Sequence, residues 1–148
     1  MKWLLDTNVL SETIRPRPDR AMSLWFAAQS LDLAAISVVT LAELQHGTSA
    51  TENEKHRKTL TLWLTTTVIP DFRERTLPLT SEVLIVWLEL ARRLNRRRIT
   101  RAAPDLLIAS TAQAHGLVVV TRNVRDFADT GIVVYDPWND RTHRMDEP

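Results

Sequence analysis

The sequence predicts an α/β domain with three layers, α/β/α, in which a mainly parallel sheet is flanked by helices on both faces. Three observations lead there. Short apolar runs alternate along the chain with segments of helical periodicity. Those runs are nearly continuous in apolar residues, as strands covered on both faces must be. Polar residues then follow several runs directly, where the turns at the carboxyl ends of parallel strands fall.

Trp3, Leu4 and Leu5 form the first buried strand, stopped by the polar turn Asp6-Thr7-Asn8. Residues 9–14 read as a short helix ended by Pro16 and Pro18. Asp19 is placed to cap a helix reaching Gln29, with Met22, Trp25 and Phe26 on one face. A second strand is expected over residues 33–37. Residues 39–46 are helical in character with Gly47 as the stop, which sets Glu43 in mid-helix between Ala42 and Leu44. Two longer helices, residues 52–67 and 81–95, are expected to pack as an antiparallel pair; Val83, Trp87, Leu90, Ala91 and Leu94 recur at helical spacing in the second. Pro104 suits the first turn of a helix running to His115 before Gly116. Residues 117–121 are the strongest strand candidate, being rich in valine. A polar turn and short helix over residues 122–127 precede a last strand at 132–135. The division expected is one domain over residues 1–137 and a polar tail over 138–148, which frays after an anchor at Trp138.

A chain of 148 residues with 44% hydrophobic residues is large enough to bury one core. Without cysteine it has neither a disulfide framework nor a thiolate metal site. No apolar run approaches membrane-spanning length, and the segment before Asp6 is too short for a signal-peptide core, so a soluble, cytoplasmic protein with no membrane partner is expected. The 19 Lys and Arg nearly balance the 18 Asp and Glu, so net charge alone marks no nucleic-acid binder. Their distribution is more informative: Arg92, Arg93, Arg96, Arg97, Arg98 and Arg101 occur in one stretch free of acids. The three glycines form no phosphate-cradling loop, and the histidines have neither zinc nor triad spacing. Trp25, Trp63 and Trp87 lie on apolar helical faces and read as core or dimer contacts.

Asp6 and Asn8 stand after the first strand, and Asn123 and Asp126 after the valine-rich one. Glu43 follows the second strand by a few residues, and Asp105 lies in the first turn of the helix before the late strand. All of these can converge on one edge of the sheet. Clustered carboxylates repel one another unless a cation neutralises them, and an all-oxygen set without cysteine suits a hard ion such as Mg²⁺ or Mn²⁺. That chemistry is the requirement of phosphodiester hydrolysis by an activated water. Each acid also has a simpler reading: Asp6 as a helix cap, Asp105 as a complement to a helix dipole, Asp126 as a solvated turn acid, Glu43 turned towards water. Spacing leaves both kinds of reading open.

Four segments together resemble the ordered motifs of PIN domains: Leu4-Leu5-Asp6-Thr7-Asn8-Val9-Leu10, Thr40-Leu41-Ala42-Glu43-Leu44, Asp105-Leu106-Leu107-Ile108-Ala109-Ser110-Thr111-Ala112 and Thr121-Arg122-Asn123-Val124-Arg125-Asp126-Phe127. The closing Val134-Tyr135-Asp136-Pro137-Trp138 is similar to the subgroup containing VapC and FitB proteins. The resemblance implies a PIN-like fold and a catalytic set of Asp6, Glu43, Asp105, Asn123 and Asp126. It assigns Asp6, Glu43 and Asp105 to the divalent metal. Thr7, Asn8, Thr121 and Arg122 become the polar turns beside it. Many PIN domains carry Asp where this chain has Asn123, so Asp126 is the acid available as the fourth group. Pro104 also departs from the small residue common before the third acid.

The same resemblance implies an endoribonuclease cutting tRNA or rRNA to leave a 5′-phosphate and a 3′-hydroxyl. It implies a homodimer held inactive by a cognate VapB-like antitoxin. Arg96, Arg97 and Arg98 are then candidate RNA contacts, with a solvated helix end as the alternative. Two other functions compete. An aspartate-based phosphotransferase usually has a second Asp soon after the first strand and a partner Lys, whereas Thr7 and Asn8 follow Asp6 here. A catalytically silent PIN-like module, acting with an antitoxin in a DNA-bound repressor complex, gains nothing from concentrated negative charge.

Overall fold

The computed structural model of the chain describes residues 1–146. Its six-stranded sheet has the order β3-β2-β1-β4-β5-β6. Strands β1 (Trp3–Leu5), β2 (Ala34–Ser37), β3 (Thr76–Leu77), β4 (Val118–Val120) and β5 (Val133–Asp136) run parallel, and β6 (Arg141–Arg144) is antiparallel to β5. The chain leaves β1 towards β2 and β3 on one side, then returns to place β4 on the other. The gap between the carboxyl ends of β1 and β4 is therefore the point where the strand order reverses.

Alternation along these strands divides the core into two layers. Trp3, Leu5, Ala34, Ile36 and Val120 face one way, with Val9 and Leu10 of α1 (Thr7–Thr13) and Met22 of α2 (Arg20–Ala28). Leu44 of α3 (Val38–Ser49) joins this side, as do the residues following α4 (Glu54–Trp63), including Phe72 of α5 (Ile69–Phe72). Leu4, Ala35, Val119 and Val134 face the other way, against Leu90 and Leu94 of α6 (Ser81–Arg96) and Ile108, Ala109 and Ala112 of α7 (Ala103–His115). The three-layer α/β/α architecture is the one the sequence predicts. Trp3, Trp25 and Tyr135 cluster edge-to-face and tilted at ring separations of 5.4–5.6 Å, while Trp63 and Trp87 pack against opposite core layers.

Several elements depart from the expectations. Helix α3 runs through Gly47 to Ser49, because buried Thr48 holds that turn against the body. The burial offsets a glycine penalty of about 1 kcal/mol. The helix expected to stop at Thr67 continues past Pro70 to Phe72 through a widened π-type turn, Leu64–Val68, in which Ile69 N–H reaches back to Leu64 O. Proline's missing N–H and its clash with the carbonyl four residues earlier are tolerated where the ordinary register is already broken. The expected pair of long helices does not form: α6 packs chiefly on α7, and α4 lies against α3. Strand β3 has two residues, too few to leave a periodic signal.

The polar tail expected to fray instead turns back as β6. Asp136 drives the turn, its Oδ1 accepting from Trp138 N at 2.9 Å and its Oδ2 from Asn139 Nδ2 at 2.8 Å, and Asp140 adopts a left-handed φ of 50°. Trp138 anchors it against the core layer of Trp3 and Tyr135. The last two residues of that tail, 147–148, lie outside the described residues. Among the described residues, no helix is long and apolar enough to cross a membrane.

Candidate active site at the strand-order reversal

Asp6 ends β1 and caps α1. Its backbone is extended (φ −77°, ψ 160°), its N–H donates to Val120 O on β4 at 3.0 Å, and its Oδ1 accepts from Thr7 N at 2.8 Å. The cap role and a place in the acidic set are thus held by one side chain, 6% exposed. Its second oxygen, Oδ2, accepts from Thr121 Oγ1 at 2.7 Å and from Asn8 Nδ2 at 3.2 Å.

Thr121, the first residue past β4, is buried and its hydroxyl is saturated. Besides donating to Asp6, it accepts from Asn8 Nδ2 at 2.9 Å and from Asn123 N at 3.0 Å. Asn8 Oδ1 accepts from Arg122 N at 3.1 Å. The turns after β1 and β4 are therefore bonded to each other as well as to the carboxylate. Thr7 extends the network to α3, donating from its hydroxyl to Glu43 Oε1 at 2.9 Å. Glu43 is half-buried, one helical face away from the buried Leu44.

Asp105 enters from the first turn of α7, whose start is set by Pro104 with no side-chain cap from Ala102. Its carboxyl is pushed up to about 6 by burial first, and then by the charges of Asp126, Asp6 and Glu43. Burial likewise raises Asp6 above the ordinary carboxylate range, reinforced by Asp126 and opposed by the bonds from Thr121, Thr7 and Asn8. Burial also raises Glu43, with the Thr7 bond opposing and Asp6 adding to the rise. The structure thus brings Asp6, Glu43, Asp105 and Asp126 within one electrostatic field, and the charges acting on the first three are acidic throughout. Asn123 and Asp126 are exposed on the short 3-10 turn Val124–Phe127 and its lead-in. Asn123 joins the network through its backbone N–H, whereas Asp126 joins through its charge.

Among the described residues, no group of three or more Asp, Glu, His or Cys side chains is arranged as a ready-made shell for an ion. The donors nevertheless fit a hard divalent cation: they are all oxygens, they carry excess negative charge, and Asp105 has no hydrogen-bond donor among the described residues.

The arginine stretch is divided in its roles. Arg97 Nη2 lies 3.5 Å from Asp129 Oδ1, Arg101 Nη2 lies 3.0 Å from Asp129 Oδ2, and Arg101 Nε and Arg93 Nη2 donate to the carbonyls of Ala128 and Thr130 at 3.1 and 3.2 Å. These three brace the loop that follows Asp126. Arg96 and Arg98 are exposed at the end of α6. Sequence reasoning missed Glu12, a buried acid that accepts from Asp19 N at 2.8 Å and pairs with Arg15 at 3.1 Å. The Asp19 bond, helped by Arg15 and Arg122, holds its carboxyl below the usual range. Its helical spacing to the apolar positions of α1 was the available signal.

The PIN domain family model matches residues 3–133. The chain is similar to Toxin FitB of Neisseria gonorrhoeae, 34% identical over 93% of this chain and 99% of that protein. It is also similar to VapC ribonuclease Y4jK of Sinorhizobium fredii, 33% identical over 91% and 96% respectively. The crystal structure of FitAcB from Neisseria gonorrhoeae superposes with a TM-score of 0.86 at 33% identity, covering 92% of this chain and 98% of that one. A DNA-bound VapBC from Salmonella typhimurium superposes with a TM-score of 0.75 at 26% identity, covering 93% and 98%. Acids at the strand-order reversal, the doubly covered parallel sheet and these likenesses agree: the chain belongs to the PIN-domain family, among its VapC- and FitB-like members.

Proposed function

We propose that this chain is a divalent-metal-dependent endoribonuclease, the toxin of a VapBC-like toxin–antitoxin pair. The observation that carries the reading is the convergence of Asp6, Glu43, Asp105 and Asp126, where burial first, and then the charges of the other three acids, push the Asp105 carboxyl up to about 6. Relatives named VapC ribonuclease and Toxin FitB support it.

In this reading Asp6, Glu43 and Asp105 hold Mg²⁺ or Mn²⁺. Held there, such an ion would supply a lowered pKa for an attacking water and positive charge against the scissile phosphodiester. Thr121 and Asn8 fix the Asp6 carboxylate, and Thr7 fixes Glu43. Asp126, rather than Asn123, is the fourth acid, because its charge acts on both Asp6 and Asp105. The Asn123 amide and Arg122 stand at the substrate side, with Arg96 and Arg98 as further RNA contacts. The substrate is cellular RNA, tRNA or rRNA, and the protein works in the cytoplasm as a homodimer restrained by its antitoxin.

A second reading is a silent module serving a DNA-bound repressor complex, and the DNA-bound VapBC among its structural neighbours favours it. Digestion of total RNA separates the two. Purified chain freed of antitoxin is expected to make discrete cuts with Mg²⁺ or Mn²⁺, none in EDTA, and none as Asp105→Asn. Folded protein that leaves RNA intact under all three conditions selects the silent module.

A further inference from the structure

Beside the acids lies a groove of about 880 Å³ between the 3-10 turn after β4 and the β5–β6 hairpin. The turn and its lead-in contribute Arg122, Arg125 and Asp126 to the lining, and the hairpin contributes Asn139, Arg141 and His143. Asp136 also borders it, but that carboxylate is buried and both its oxygens are engaged by the hairpin turn. Arg122, Arg125 and Arg141 are exposed. The Arg122 guanidinium sits 5.8 Å above the Trp138 ring and within electrostatic reach of Glu12.

Resting on the nuclease reading, we infer that this groove is the track for an RNA strand, its arginines holding phosphates beside the one that is cut. Cationic side chains that release counterions from phosphates supply most of the sequence-independent affinity for nucleic acid. A site made of carboxylates repels the same polymer, so a cationic approach must adjoin it. Here the two regions are joined structurally. Asp126 lines the groove and acts on Asp6 and Asp105, and the backbone N–H of Arg122 bonds Asn8. None of Arg96, Arg97 and Arg98 lines it. The main RNA grip therefore belongs to the hairpin and the turn, a role the arginine-rich stretch alone does not suggest.

Arg125→Ala/Arg141→Ala tests this. Both side chains are exposed, and the turn and β6 are held by backbone bonds, so the variant is expected to melt with the wild type by circular dichroism. Binding of a fluorescein-labelled oligouridylate is measured in EDTA across a salt series. The expected result is at least a tenfold loss of affinity and a salt slope shallower by about 1.4, the loss of two single-strand phosphate contacts. Arg125→Lys/Arg141→Lys is expected to retain most binding, and Lys55→Ala/Lys58→Ala, on the distant α4 surface, all of it. Unchanged binding by the alanine pair, or an equal loss in the Lys55/Lys58 variant, overturns the groove. Because EDTA suppresses cleavage, an oligonucleotide that needs the arginines but is never cut with Mn²⁺ upholds the groove and defeats only the nuclease reading. If the alanine pair does not fold, Arg141→Ala alone, on the sheet edge, decides by the same readout.

Discussion

The hydroxyl of Thr121 donates to Asp6 Oδ2 at 2.7 Å across 115 residues of sequence, and it joins the carboxylate, the Asn8 amide and the Asn123 backbone at a single atom. Thr121→Val keeps the shape but leaves three polar groups short of a partner. A stability loss of about 2 kcal/mol is expected from chemical denaturation, with cleavage falling more than tenfold. Thr121→Ser is expected to recover both. A valine variant as stable and active as the wild type would show that the hydroxyl is incidental.

Metal-free protein is expected to lose stability as pH rises through the window set by Asp105. Below about pH 4 the carboxyl is protonated whether the chain is folded or not. Between there and about 6 the folded state holds the proton more tightly than the unfolded state, so stability falls as pH rises; above 6 the full cost persists. Asp105→Asn removes this part. Thermal melts in EDTA should show the variant more stable at neutral pH by about 1 kcal/mol, a value discounted for the side chain's partial exposure to solvent. A slope remains from Asp6 and Glu43, whose carboxyls are also raised. Parallel wild-type and variant curves would contradict the assignment.

Asp129 holds a left-handed φ of 65° and takes both Arg97 and Arg101. Asp129→Ala is expected to lower stability by about 1–2 kcal/mol, as partly buried pairs lose their shared anion. A double-mutant cycle with Arg101→Ala should return a coupling of about 1 kcal/mol. Additive effects would mean that the pair is only a proximity.

Gly116 closes α7 with φ 64°, and a Cβ there would meet nothing within 4 Å. Gly116→Ala thus isolates backbone strain from packing. The expected shift in urea midpoint corresponds to about 1–2 kcal/mol, with no change in cleavage pattern. A larger loss would point to a contact that the glycine conceals.

How legible all this was depends on the range of the interactions. Runs such as Trp3-Leu4-Leu5 and Val118-Val119-Val120 reveal strands because burial on both faces removes polar residues, and the polar residue ending each run then marks the site edge. Asp6, Glu43 and Asp105 were accessible by that logic combined with the family pattern. Asp126 was legible as a candidate fourth acid, but that its charge acts on both Asp6 and Asp105 follows only from the folded turn. Strand β6 was not legible, since its Arg, Thr and His residues carry no apolar signal and its pairing follows from the Asp136 turn. Arg97 read as a candidate RNA contact, and its pairing with Asp129, shared with Arg101, was not legible because that loop acid becomes their partner only in three dimensions.

Strand β1 is made first but acquires its neighbour β4 only after most of the chain exists, and that pairing places Thr121 on Asp6. Parallel pairing over such a span is entropically slow. A nascent or truncated chain ending before β4 lacks both the pairing and the residue that orients the first acid. Synthesis itself therefore delays assembly of the acidic site until β4 has been made and paired with β1.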